Sequence, residues 1–309
     1  MPDATALQQF PIGGDDRIIA FANPTLTGIA EHSRRLLDLF HGQPEVSVVA
    51  DLATREPRWP GEQAVSWRGN SAIVSALLYP PNPQGPFAVR RATWERVGPL
   101  RPVDAPLWDW LIRAARAGER IQPVQSDSTD AEGGLPRLTP SRPPQQRDWL
   151  LEHLQQFEAA SSANSAVAAT ALRAGLVLWH DYLDESHSLC QSIEGKGDDR
   201  LGDYWHGIMH RREPDYTNAK YWFRHLGAHV LFGDVSAAVD QILKACSAPE
   251  AASCRQRLLP DQQWDPFAFI DLCEECAHNE ESEPALLARR ILLAEMSLLL
   301  RLTQSRIAG

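Results

Sequence analysis

The stretch from Gly202 to Phe232, GDYWHGIMHRREPDYTNAKYWFRHLGAHVLF, decides how the second half of the chain is read. Asp203 to Glu213 has helix-forming composition and ends at Pro214, which cannot continue a helix. Asp215 or Thr217 is placed to cap a following helix that closes at Gly227. Six of the ten histidines fall between His180 and His229, so the specialised chemistry of the chain is concentrated here and in the segment just upstream, WHDYLDESH, residues 179 to 187.

Working outward, Asp148 can cap a helix through Phe157, and the alanine-rich run from Ala166 to Leu178 leads into the His180 segment. Val235 to Cys246, Pro266 to His278 and Pro284 to Ser305 complete about seven helices. Before them, residues 124 to 147 are rich in proline, glycine and serine and read as a linker. The region from 1 to 123 reads as α/β. Arg17 to Phe21 and Val46 to Ala50 are short apolar strands flanking a helical pattern from Gly28 to Gly42, the order of a parallel βαβ unit. Ser71 to Tyr79 is apolar and ambiguous. The expected fold is α+β overall: a small α/β region at 1–123, a linker at 124–147 and a helical bundle at 148–309.

On continuous helices, at 100° per residue, His180, Asp184 and His187 share one face, as do His206, His210 and Glu213, with Asp203 on the adjoining edge. Two helices that each present imidazoles and a carboxylate suit a metal site in a bundle. H-x-x-x-H spacing spans one turn and fits zinc, iron or manganese. The expected metal ligands are therefore His180, His187, His206 and His210. Asp184 and Glu213 are the acid/base candidates, and Asp181 and Glu185 could orient the imidazoles. Arg211, Arg212, Lys220 and Arg224, with Tyr204 and Trp205, are candidates for gripping a small polar ligand. Two other readings stay open: a metal-free ligand pocket, and a purely structural aromatic and polar network in a noncatalytic scaffold or interaction protein.

The net charge of −10 argues against nonspecific binding to nucleic acid or an anionic membrane. That leaves a small polar ligand or a protein as the expected partner. The opening residues lack a basic, apolar secretory signal, and the five cysteines form no disulfide framework. Both observations suit a cytoplasmic protein. Cys273-Glu-Glu-Cys276 has no second CxxC to complete a zinc site and reads as ordinary helix.

Two resemblances add to this. Ala88-Val-Arg-Arg-Ala-Thr-Trp-Glu-Arg-Val-Gly98 and Leu107-Trp-Asp-Trp-Leu-Ile-Arg-Ala-Ala-Arg-Ala-Gly118 resemble the acceptor-side half of family 2 glycosyltransferases of the GT-A fold. The resemblance implies a metal-binding D-x-D, but Asn23-Pro24-Thr25 stands at that place. It implies an acidic pair supplying the general base, but Pro106 and Leu107 stand there, and only Asp109 persists, with Asp104 nearby. The nucleotide-binding strands expected before the D-x-D are also missing. A truncated, non-catalytic relative is the expectation for this half. Tyr204 to Arg224 and Trp264 to Glu274 resemble blocks of an uncharacterised helical family, YWHxIMHRREPDYxNAKYWFRR and WDPFxFxDLCE. That family implies no reaction.

Overall fold

In a computed structural model the described residues are 8–12, 15–22, 29–52, 69–82, 85, 87–124, 135–140, 146–157, 163–246 and 251–308. The chain forms two compact units, Met1–Asp130 and Ala131–Gly309. The architecture is α+β, a small sheet with helices followed by a helical bundle.

The first unit contains strands β1 (Gln8–Ile12), β2 (Asp15–Ala22), β3 (Val48–Asp51), β4 (Phe87–Arg90) and β5 (Ile121–Val124), with helices α1 (Ile29–Gly42), α2 (Gly69–Leu78), α3 (Arg91–Val97) and α4 (Pro106–Arg116). The sheet order is β1-β2-β4-β3-β5, and β3 with β5 is the one parallel pair among the described residues. β2 and β3 do run in the same direction, as the βαβ reading expects, yet they are not neighbours. β4 lies antiparallel between them, its Val89 opposite both Ile19 and Val48. Three of its four residues are fully buried, which suits a central strand apolar on both faces. The ambiguous apolar segment is helical, forming most of α2, and the Trp108 indole donates to the Ala76 carbonyl at 2.8 Å. Asp109, the carboxylate expected to persist if the glycosyltransferase resemblance holds, is fully buried and ion-paired with Arg113 at 2.9 Å and Arg101 at 3.6 Å. Asn23-Pro24-Thr25 lies outside the described residues.

The second unit contains α5 (Asp148–Gln155), α6 (Ala163–Trp179), α7 (Leu183–Ser192), α8 (Leu201–Arg212), α9 (Tyr216–Leu226), α10 (Phe232–Ala245), α11 (Ala251–Leu258), α12 (Pro266–Cys276) and α13 (Glu283–Ala308). Residues 135–140, within the stretch whose composition reads as linker, are held against these helices. Arg289 donates to the carbonyls of Leu135 and Pro136, Arg212 donates to that of Arg137, and Glu280 accepts from the amides of Leu138 and Thr139. Among the described residues no helix is long and apolar enough to cross a membrane.

Every residue of α8 is buried. A helix with no polar stripe belongs in the middle of a bundle, and α8 packs on α6, α7 and α9. Small residues allow the close approach. A Cβ on Gly175 of α6 would lie 2.5 Å from the Trp205 ring, and one on Gly207 would lie 2.8 Å from Phe223 of α9. Gly175→Ala gains about 1 kcal/mol of helix propensity but forces the indole aside, at a cost of roughly 1–3 kcal/mol. The expected outcome is a lower urea midpoint for the variant; an unchanged or higher one shows that the indole has room to shift.

The α8 start differs from the expectation by two residues. Arg200 takes a left-handed conformation (φ 49°), and Asp203 sits inside the first turn, accepting from Arg200 Nε at 2.7 Å and the Gly195 amide at 3.0 Å. Asp215 caps α9 through the Asn218 amide at 3.0 Å, and Gly227 ends it with φ 66°. Asp148 is the first residue of α5 rather than its cap, which is Arg147. The larger correction is at Asp181. Its φ of 66° breaks the chain between α6 and α7, a conformation that aspartate tolerates better than most residues. Its carboxylate is fixed there by Arg212 Nη2 at 2.5 Å.

Candidate metal centre

α8 presents His206 and His210 one turn apart, and α7 presents His187 towards them. The three offer ligand atoms that all lie within 4.8 Å of one another. The His206 and His210 rings are stacked, with centroids 4.8 Å apart and planes at 16°. His187 stands edge-on to both, at 4.9 Å and 5.3 Å. The other face of His206 lies on Trp222 of α9, at 3.9 Å and 23°. His206 is 1% exposed and His210 5%, while His187 is half-buried.

The protonation of His210 is legible from its partners. Glu213 Oε2 lies 3.0 Å from Nδ1, and a carboxylate accepts, so Nδ1 carries the hydrogen and Nε2 keeps its lone pair. Asn218 Nδ2 lies 3.1 Å from Nε2 and 3.4 Å from Nδ1. An atom that near both ring nitrogens sits over the ring face, since in the ring plane it would collide with the carbon between them. The amide therefore leaves the in-plane lone pair of Nε2 clear.

His206 is the exceptional residue. Both of its ring nitrogens are buried, and neither has a hydrogen-bond partner among the described residues. Such groups are rare in native interiors. Burial, then the neighbouring His210 and His187, depress its pKa to about 3, so the ring is neutral and available as a donor at ordinary pH. Burial also lowers the pKa of His210. A tetrahedral zinc site with metal–nitrogen bonds of about 2.0–2.1 Å sets its donors about 3.3 Å apart. Holding zinc would require the group to contract from its present 4.8 Å limit and the stacked His206 and His210 rings to turn towards one point.

The structure does not bring His180 into the group. It follows Trp179 in the turn before α7, because the break at Asp181 ends the continuous helix on which the shared face depended. Asp184 is exposed and, with Glu185, lines a groove that also includes Leu154, Arg173 and Val177 but none of the three histidines. Asp181 is tied to Arg212. Glu213 is about half exposed and meets the site at His210 Nδ1.

The expected ligand-gripping residues are mostly interior. Arg212 is fully buried and donates to the Leu178 carbonyl at 2.7 Å as well as to Asp181 and Arg137. Arg211 pairs with Glu295 over the Phe269 ring. Tyr204 donates to Glu295 at 3.1 Å, and Trp205 donates to Thr303 at 3.4 Å. These four side chains hold the helices together and present no free polar surface. Lys220 pairs with Asp271 at 2.5 Å, and Arg224 is exposed. The side chains of Asn218 and Trp222 were missed as walls of the site, although their four-residue spacing puts both on one face of α9. Cys273 and Cys276 are buried thiols pushed up to about 12 and about 11, foremost by that burial, and are not part of the group.

No family model, curated protein or solved structure matches the chain.

Proposed function

We propose that the helical unit binds one divalent transition metal through His187, His206 and His210, with Glu213 orienting His210 from behind. The observation that carries this reading is buried His206, whose two ring nitrogens have no hydrogen-bond partner among the described residues; a metal would engage one of the two. An all-imidazole donor set favours zinc or iron over manganese, which prefers oxygen ligands. The α/β unit is read as non-catalytic towards sugars, because Pro106 and Leu107 stand where the glycosyltransferase pattern needs carboxylates. A cytoplasmic location accords with five free cysteines.

Chelator-treated protein is expected to take up about one equivalent of zinc, the stoichiometry of one three-histidine site. Its unfolding midpoint rises, by the equivalent of about 2.7 kcal/mol when free metal is a hundredfold above Kd. The stacking of His206 on Trp222 favours the alternative of a scaffold in which the cluster is packing. That reading predicts no uptake and no shift with zinc, iron or manganese.

A further inference from the structure

The donor set of this site is electrically neutral, and that property constrains what else binds there. Three imidazoles leave a dication with its full charge. Among the described residues no further histidine, cysteine, aspartate or glutamate reaches the group. The nearest carboxylate, Glu213, is engaged at Nδ1 of His210, on the edge of the ring away from the Nε2 lone pair. The Asn218 amide lies over the His210 ring face, outside the plane in which a metal would sit. The Trp222 ring stacks on His206 at 3.9 Å. His187 and Asn218 are only half-buried, so the group is more accessible on their side than at His206.

Resting on the metal reading above, we infer that a metal held here keeps a fourth coordination position open to a small exogenous anion, such as hydroxide or a compact oxyanion. Coordination number is the first reason. Three protein ligands plus one exchangeable position is the arrangement of zinc sites that act on an external molecule, whereas closed structural sites have four protein ligands. Charge is the second. A dication among neutral rings and an indole face is costly to bury unless an opposite charge accompanies it. Glu213 supplies one negative charge through the His210 ring, and an anion at the fourth position supplies the other where it is most effective. The molecule this site acts on or senses would therefore offer a single small anionic donor. A bulky ligand or a second cation would not fit its chemistry.

Cobalt(II) makes both readings visible, because its ligand-field bands report coordination number and donor exchange. Metal-free protein is titrated with cobalt(II) and the one-equivalent complex with azide, in wild type, His206→Ala and Asn218→Ala, each verified as folded by circular dichroism. The expected result is strong four-coordinate bands in wild type, absent in His206→Ala, with a saturable azide shift of 1:1 stoichiometry in wild type and Asn218→Ala alike. Wild-type bands that azide leaves unchanged overturn the open position while leaving the metal site standing. If azide shifts only the Asn218→Ala spectrum, the amide oxygen is the fourth ligand, and the inference also fails. Absence of cobalt bands in wild type removes the metal reading itself, and the open position with it.

Discussion

Replacing His206 with phenylalanine is expected to stabilise the metal-free protein and abolish its metal binding in one step. The ring is 1% exposed, stacked at 3.9 Å on Trp222, and has two nitrogens without partners among the described residues. Each unmet buried polar group costs about 1–3 kcal/mol. A phenyl ring keeps the stack and removes both groups, at some cost for its extra bulk, so a net gain of about 1–2 kcal/mol at pH 7 is expected. Acid sharpens the difference. His206 titrates near 3 in the folded protein and near the ordinary 6.5 when unfolded. Between those values the unfolded chain holds the extra proton, so the stability present above pH 6.5 is lost as the pH falls towards 3. The loss is on the order of 4 kcal/mol for wild type and is missing from the variant. Urea unfolding of chelator-treated proteins at pH 7, 5 and 4 measures both effects. Equilibrium dialysis should show zinc affinity falling by more than the roughly 10–100-fold that losing an outer partner costs. A variant less stable at pH 7, with wild-type acid dependence, would show that the His206 nitrogens are satisfied after all.

The part of the site that local rules govern was legible in the sequence. The one-turn spacing of His206 and His210, the stop at Pro214 and the Asp215 cap all depend on neighbours a few residues away. His187 and His180 show where that reach ends. Counting residues round one continuous helix puts them together, but a single left-handed residue, Asp181, separates them, and the conformation of Asp181 is held by Arg212, which is 31 residues away. The arginines were misread for a related reason. Arg211 and Arg212 were expected to grip a ligand, which needs accessible side chains of the kind most arginines have, yet α8 mixes tyrosine, tryptophan and methionine with glycine, histidine and arginine in no stripe. That lack of amphipathicity was itself a sign of burial on all sides. In the sheet, β2 and β3 were visible as apolar runs, but the insertion of β4 depends on pairing across some seventy residues of sequence from Ile19 to Val89, which no local pattern encodes.

The same central helix carries the largest expected stability effect. Glu295 of α13 is fully buried, accepting from Arg211 through one oxygen and from the Tyr204 hydroxyl at 3.1 Å through the other. Arg211 Nε and Nη1 have no other partner among the described residues, so Glu295 is the counter-charge that makes its burial tolerable. Glu295→Leu leaves an uncompensated guanidinium beneath Phe269 and is expected to cost about 3–5 kcal/mol. Arg211→Met combined with Glu295→Leu removes both charges and should recover most of that loss, because the desolvation of the pair disappears with its attraction. Arg211 lies about 100° round α8 from His210, on a different face from the one that meets His187. The double variant is therefore expected to keep zinc affinity within tenfold of wild type while the single variant unfolds at markedly lower urea. If the double variant folds with near-normal stability but no longer binds zinc, the ion pair sets the rotation of α8 that aims His206 and His210 at His187, and it belongs to the site rather than only to the core.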